Sequence, residues 1–256
     1  MPELPEVEMY ARYFARHALE QTITGIRVID PRILGTRTLG PLVGRSLRSV
    51  RRHGKHLFAD AGDGIWLRIH FGMTGDLAYF EDDPPRFARV IFDFDNGAHL
   101  AFEDMRLFGV VDLVHSPDDY VREHGLGPDP LDPRFTLRDF RNLLHKRRGR
   151  IKALLLSQNA IAGIGNLYAD EALYRASIDP RRTIDRMTDA EVKALFHAIR
   201  GVLREAIAFK ARGGDYPGRY LVQHREEGDR CPRCGGTIRR TVVATRTTYY
   251  CAKHQK

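Results

Sequence analysis

Three cysteines are all that the 256 residues contain, and they are confined to the last 26 positions. An odd, late-clustered set excludes a disulfide framework of the secreted kind. No apolar run reaches the about 18 residues that a bilayer span needs. The most apolar window, 153–169, is interrupted by Ser157, Gln158, Asn159 and Asn166. The opening Met1-Pro2-Glu3-Leu4-Pro5-Glu6 is acidic and proline-rich, lacking the basic and then apolar pattern of a secretion signal. Internal repeats are missing as well. A cytoplasmic protein is the expectation. At 43% hydrophobic and 29% charged residues the chain is no disordered polymer, and its length suits one large or two small domains.

What the chain has in excess is positive charge: 41 Lys and Arg against 33 Asp and Glu, a formal +8. Residues 45–56 carry Arg45, Arg48, Arg51, Arg52 and Lys55 without an acid, and 145–152 carry Lys146, Arg147, Arg148, Arg150 and Lys152. From Arg225 to the end, eight Lys and Arg stand against three acids, leaving +5. Three separated basic clusters suit a polyanion lying across several elements, with nucleic acid as the first candidate.

Hydrophobic spacing divides the chain. Val7, Tyr10, Ala11, Phe14 and Ala18 repeat as one face of a helix over 5–19. From about 22 to 114 short alternating segments predict a β-sandwich or barrel. Val90, Phe92 and Phe94 face one way, Asn96-Gly97 predicts a two-residue hairpin turn, and Leu100 and Phe102 return. Ser116-Pro117 starts a short helix that Gly125 closes. Residues 125–135, rich in Pro and Gly, predict an interdomain linker. Beyond it Thr136 with Asp139, and Thr188 with Glu191, start helices; the second has the core face Val192, Leu195, Phe196, Ile199, Leu203 and Ile207, and Gly213-Gly214 stops it. The reading is an α+β multidomain chain: 1–124 a helix and β-sandwich, 125–135 a linker, 136–225 a helical domain, and 226–256 a separate small unit too poor in apolar residues to fold without a staple.

That staple is legible. Cys231-x2-Cys234 and, after sixteen intervening residues, Cys251-x2-His254 offer four ligands in two close pairs that can converge tetrahedrally on one zinc. All four positions are filled by protein, so the site is structural, and the segment 237–250 between the pairs predicts a β-hairpin bearing Arg239, Arg240 and Arg246.

At the other end, Pro2 follows an initiator methionine whose removal would expose a secondary amine. An α-amino group has a pKa of about 7.7–8.0 against about 10.4 for lysine, so it is far more often unprotonated and can attack an electrophilic carbon to form an iminium. Glu3 beside it can serve as a general acid.

Taken together, Met-Pro-Glu-Leu-Pro-Glu-Val-Glu and the zinc hairpin resemble the formamidopyrimidine-DNA glycosylase/endonuclease VIII family of base-excision repair enzymes over essentially the whole chain. Further motifs fall in order. Arg52-His53-Gly54-Lys55-His56 looks like the segment of the family's essential lysine. His70-Phe71-Gly72-Met73-Thr74-Gly75 resembles the loop whose methionine fills the void of an extruded base. Asp104-Met105-Arg106-Leu107-Phe108-Gly109 resembles the second intercalating loop. The run 163–171 is similar to the helix–two-turns–helix signature, in which Asn166 would bind phosphate.

The resemblance implies catalytic roles for Pro2, Glu3, Lys55 and Arg246. It implies DNA contacts from Met73, Arg106, Phe108, Arg147, Lys152, Asn166 and Arg246, and one structural zinc on Cys231, Cys234, Cys251 and His254. The implied activity is that of a bifunctional DNA glycosylase and abasic-site lyase, a monomer acting on damaged double-stranded DNA near the bacterial nucleoid. Base flipping costs about a few kcal/mol of unstacking, which apolar wedges offset. The alternative is a non-catalytic binder of damaged or branched DNA on the same scaffold; retention of Pro2, Glu3 and Lys55 together argues for the enzyme.

Departures from the family pattern lie at the fourth ligand, His254, where cysteine is common, and at Met105 and Leu107. In place of a family histidine stands Arg86-Phe87-Ala88-Arg89, either arginine of which could grip phosphate. The segment Gly213–Tyr220 is shorter than the family's lesion-covering loop, so lesion preference does not carry over.

Overall fold

The computed structural model describes residues 2–256. They form two compact units, the first running to Gly125 and the second Leu126–Lys256.

The first unit opens with α1 (Leu4–Ala18). Pro5 sits in its first turn, where the missing N–H has no helical partner to lose, and the Glu6 carboxylate accepts the Glu3 N–H at 2.9 Å. Leu4, Val7, Ala11, Phe14 and Ala18 are its buried face. Eight strands follow: β1 (Ile23–Val28), β2 (Ser49–His53), β3 (His56–Asp60), β4 (Trp66–His70), β5 (Gly75–Phe80), β6 (Ala88–Phe94), β7 (His99–Asp104) and β8 (Val110–Val114). They pair antiparallel in two four-stranded sheets, ordered β1-β6-β7-β5 and β2-β3-β4-β8. One apolar core draws on both sheets and on α1, with Phe14, Leu57, Ile69, Phe92 and Phe102 fully or almost fully buried. Truncating such a phenylalanine to alanine costs about 3–5 kcal/mol.

The hairpin between β6 and β7 departs from the expected two-residue turn. Gly97 N–H donates to Phe94 O, Phe94 N–H donates to Ala98 O, and Gly97 alone of the loop has a positive φ, +85°. The loop is therefore the three-residue kind, 95–97, with glycine at its left-handed position. The alternation on either side is unaffected. Helix α2 (Pro117–Glu123) is capped by Ser116, whose Oγ accepts the Asp119 N–H at 3.0 Å, and Gly125 at φ +57° follows its end.

The second unit holds α3 (Leu137–His145), α4 (Ile151–Leu156), α5 (Asn166–Ala176) and α6 (Asp189–Lys210), then a hairpin of β9 (Ile238–Val243) and β10 (Arg246–Cys251). Both expected capping boxes form, Thr136 with Asp139 and Thr188 with Glu191. The stretch read as a linker is fastened to this unit. Gly127 N–H donates to Gln158 O, Ala162 N–H donates to Pro128 O, and the Arg200 guanidinium donates to the carbonyls of Pro130, Asp132 and Phe135. Nor is the tail separate: Cys231, Ile238 and Cys251 share a buried cluster with Tyr174 of α5 and Leu221. A segment with so few apolar residues gains its burial from a neighbour as well as from metal. Among the described residues no helix is long and apolar enough to cross a membrane.

Candidate active site, nucleic-acid interface and metal centre

The three cysteines and the histidine meet as expected, with all four donor atoms within 4.8 Å of one another. Cys231 Sγ lies 3.6 Å from His254 Nδ1, and Cys234 Sγ lies 3.5 Å from both Cys251 Sγ and His254 Nδ1. A tetrahedron with Zn–S of about 2.3 Å and Zn–N of about 2.0–2.1 Å has edges of about 3.5–3.8 Å, so the donor set fits one zinc. His254 Nε2 faces the Tyr174 carbonyl at 3.3 Å; donation there leaves the Nδ1 lone pair for the metal.

The hairpin ends in an Ala244-Thr245 turn in which both residues are left-handed, φ +50° and +61°, the geometry of a type I′ turn. Arg246 follows immediately and is exposed. Beneath it runs a buried polar relay. Thr248 Oγ1 donates to Arg246 O at 3.0 Å and accepts from Lys152 Nζ at 2.6 Å, and Lys152 pairs with Asp170 at 2.5 Å. Lys152 is therefore no phosphate contact: its side chain and that of Asp170 are both 0% exposed. The basic cluster splits at the start of α4, with Lys146, Arg147, Arg148 and Arg150 exposed and Lys152 turned inward on the helix's buried face. Arg147 keeps its surface position.

Asn166 begins α5 after the two turns. Its Nδ2 donates to Thr247 O at 2.9 Å while Asp170, one turn on, accepts the Tyr249 N–H at 3.3 Å. Residues 166 and 170 lie on one helix face and 247 and 249 on one strand edge, so the spacings match. The turns themselves are held by Gln158, whose Oε1 accepts the Gly163 N–H at 2.9 Å and whose Nε2 donates to Ile164 O at 2.8 Å and Leu156 O at 3.1 Å. Gln158, Asp170 and Thr248 were not singled out as functional from sequence. For Gln158 and Asp170 the available signal was an amide or charged group among apolar neighbours; Thr248, one of two threonines in its strand, carried none. On the same helix Glu171 accepts the Val222 N–H, and burial pushes its carboxyl up to about 7.

In the first unit Pro2 and Glu3 are buried at the start of α1. Lys55 is half-buried in the two-residue turn between β2 and β3, with Gly54 at φ +55°. Of the first basic cluster, Arg45 pairs with Asp63 at 2.7 Å, Arg51 with Asp118 at 3.1 Å and Arg52 with Glu8 at 3.0 Å. Much of that cluster's charge is thus internally matched. Arg86 is exposed, whereas Arg89 donates to Asp104 O at 2.7 Å.

Met73, Arg106 and Phe108 project from the loops after β4 and β7. Met73 is 40% and Phe108 54% exposed, unusual for large apolar groups, and the Arg106 guanidinium lies 4.9 Å from the Phe108 ring centre. Met105 is exposed beside them. His70, at the end of β4, accepts the Gly72 N–H on Nδ1, and burial with Arg68 and Lys55 nearby holds its pKa down at about 4, so it is neutral at pH 7. His56, whose Nδ1 accepts from Arg68, is likewise held neutral, by burial first.

A helix on a β-sandwich, a helix–two-turns–helix unit and a zinc hairpin define a two-unit, zinc-stapled scaffold of the kind that grips DNA. The sequence matches three family models end to end: the formamidopyrimidine-DNA glycosylase N-terminal domain over residues 1–111, the H2TH domain of that glycosylase over 126–216, and the zinc finger found in FPG and IleRS over 228–253. It is 38% identical over 275 residues to a formamidopyrimidine-DNA glycosylase of Pelotomaculum thermopropionicum (100% of this chain, 99% of that one). The one of Chloroflexus aurantiacus is 40% identical over 272 residues (98% and 96%). The fold superposes on the Lactococcus lactis enzyme bound to DNA containing an abasic site with a TM-score of 0.89 at 30% identity, covering 99% of each chain. The chain belongs to the formamidopyrimidine-DNA glycosylase family.

Proposed function

We propose that this chain is a bifunctional DNA glycosylase and abasic-site lyase of base-excision repair, acting on damaged duplex DNA in the bacterial cytoplasm. The observation that carries the reading is the Glu8–Arg52–Gly54 tie, which fastens the helix beginning just after Pro2-Glu3 to the turn bearing Lys55. A pure binder has no use for a secondary amine and a lysine turn held on one helix.

In this reading the Pro2 nitrogen, freed of Met1, attacks the anomeric carbon of the damaged nucleotide. The glycosidic bond breaks and the base leaves with a proton; the C1′–O4′ bond then opens, O4′ taking a proton through Glu3, and the nitrogen lone pair closes to an iminium at C1′. Loss of an adjacent sugar proton then expels phosphate by elimination, and water returns the amine. Lys55 orients phosphate near the sugar. Met73 and Phe108 fill the vacated stack, Arg106 meets the partner base, and Asn166, Arg147 and Arg246 hold phosphates without reading sequence. The Schiff base on Pro2 rests on residue identity and position.

Borohydride trapping on abasic-site DNA tests it. A covalent protein–DNA adduct is expected from the mature chain and none from a chain that retains Met1. An adduct that persists when the Pro2 nitrogen is blocked would move the nucleophile elsewhere, whereas Pro2→Gly keeps an α-amine and is expected still to trap; no adduct at all would leave only the non-catalytic binder.

A further inference from the structure

Two loops carry the exposed apolar groups, and a single buried carboxylate joins them. Asp104, the last residue of β7, is 0% exposed. Its Oδ1 accepts from the Thr74 hydroxyl at 2.5 Å and from the Arg106 N–H at 3.1 Å, and its Oδ2 accepts from the Gly109 N–H at 2.7 Å. Thr74 Oγ1 in turn accepts the Arg106 N–H at 3.1 Å. Asp104 thus closes its own loop, 105–109, across Leu107 at φ +56°, and reaches through Thr74 to the other, 71–75. The backbones also touch: a Cβ on Gly72, which has φ +57°, would run into Phe108 and Gly109.

The geometry points to Asp104, acting through Thr74, as the positioning residue that locks the two loops into one preformed wedge. This rests on the reading of Met73 and Phe108 as void fillers, and it adds the element that fixes their spacing before DNA arrives. Neither hydroxyl nor carboxylate touches DNA in this proposal. A wedge of two independently moving loops would have to be ordered on binding, and each side chain immobilised there diminishes affinity. The Asp104 carboxylate removes that cost by satisfying two backbone N–H groups of one loop and a side chain of the other. A hydrogen bond to a charged acceptor is worth roughly tenfold or more in an equilibrium.

Thr74→Val removes the hydroxyl and keeps the shape; Thr74→Ser returns it. The readout is binding to a duplex with a tetrahydrofuran abasic analogue opposite 2-aminopurine, beside the same duplex undamaged. Thr74→Val is expected to bind the tetrahydrofuran duplex about tenfold more weakly, with a smaller 2-aminopurine fluorescence change and unaltered affinity for undamaged DNA. Thr74→Ser is expected to match the unaltered protein, and Asp104→Asn, checked for zinc content and circular dichroism, to follow Thr74→Val. Undiminished binding by Thr74→Val overturns the proposal. So does an equal loss on both duplexes, or a failure of serine to restore. Because this binding involves no chemistry, a missing borohydride adduct would sink the nucleophile and leave the wedge standing, and the reverse holds too.

Discussion

Arg52 donates from Nε to the Glu8 carboxylate at 3.0 Å and from Nη1 to Gly54 O at 3.2 Å, so one guanidinium fixes a helix to a hairpin turn. Its side chain is 9% exposed, which shields the pair from solvent screening. Arg52→Gln is expected to cost about 1.5–3 kcal/mol of stability, the range for hydrogen bonds to charged groups. Single-turnover excision should slow by up to about a hundredfold, as a misplacement of roughly 1 Å caused by a change away from the chemistry does. An unchanged rate in a correctly folded Arg52→Gln protein would sever Lys55 from this tie.

Lys152 gives a contrasting outcome. Lys152→Met leaves Asp170 with Arg225 as its remaining ion pair, at 2.9 Å, and is expected to destabilise the second unit by about 3 kcal/mol. Lys152→Met with Asp170→Leu should recover part of that. The slope of log affinity against log salt should not move in the single variant, whereas Arg147→Ala should reduce it by about 1. Denaturant melts and a salt titration separate the two residues; a lower slope in Lys152→Met would return it to the DNA surface.

One zinc per chain is expected by metal analysis. Its removal by a chelator, or Cys234→Ser, should lower the melting temperature and abolish tight DNA binding, because the tail carrying Arg246 brings few apolar side chains to its cluster with Tyr174 and Leu221: Cys231, Ile238 and Cys251, with Cys234 and Tyr249 packed against them. His254→Cys should keep both zinc and affinity, since a site of four cysteines and a site of three cysteines with one histidine serve zinc equally. A metal-free chain with unimpaired binding would contradict the staple.

Glu171 predicts a pH effect. Burial raises its folded pKa from 4.5 to about 7, so between those values the folded state holds a proton that the unfolded state has released. Its contribution is fully present below pH 4.5 and fades as pH rises through 7. Glu171→Gln should flatten that part of the stability curve and melt higher than the unaltered protein above pH 7. Parallel curves for the two proteins would show that the carboxyl stays ionised.

Much of this was legible in the sequence because it depends on local pattern. The face of α1, the alternation of β6 and β7, two capping boxes and the paired spacing of the zinc ligands are all set by neighbours within a few residues. Lys152 misled for the opposite reason. On the page it continues a run of cations, and only the three-dimensional meeting of α4, α5 and β10 supplies Asp170 and Thr248 to bury it. In the sequence Asp104 is only the first letter of a loop motif, because its hold on Thr74 spans 30 positions. The 95–97 loop is one residue longer than Asn-Gly alone predicts, since Asn-Gly serves both turn types.

The tip of the zinc hairpin offers a last consequence. Ala244 and Thr245 both sit in left-handed backbone without the help of glycine or asparagine, at about 1–2 kcal/mol per residue. Asn-Gly in those two places would relieve that stored tension and yield a more heat-resistant protein, with every charge and every thiol left where it is.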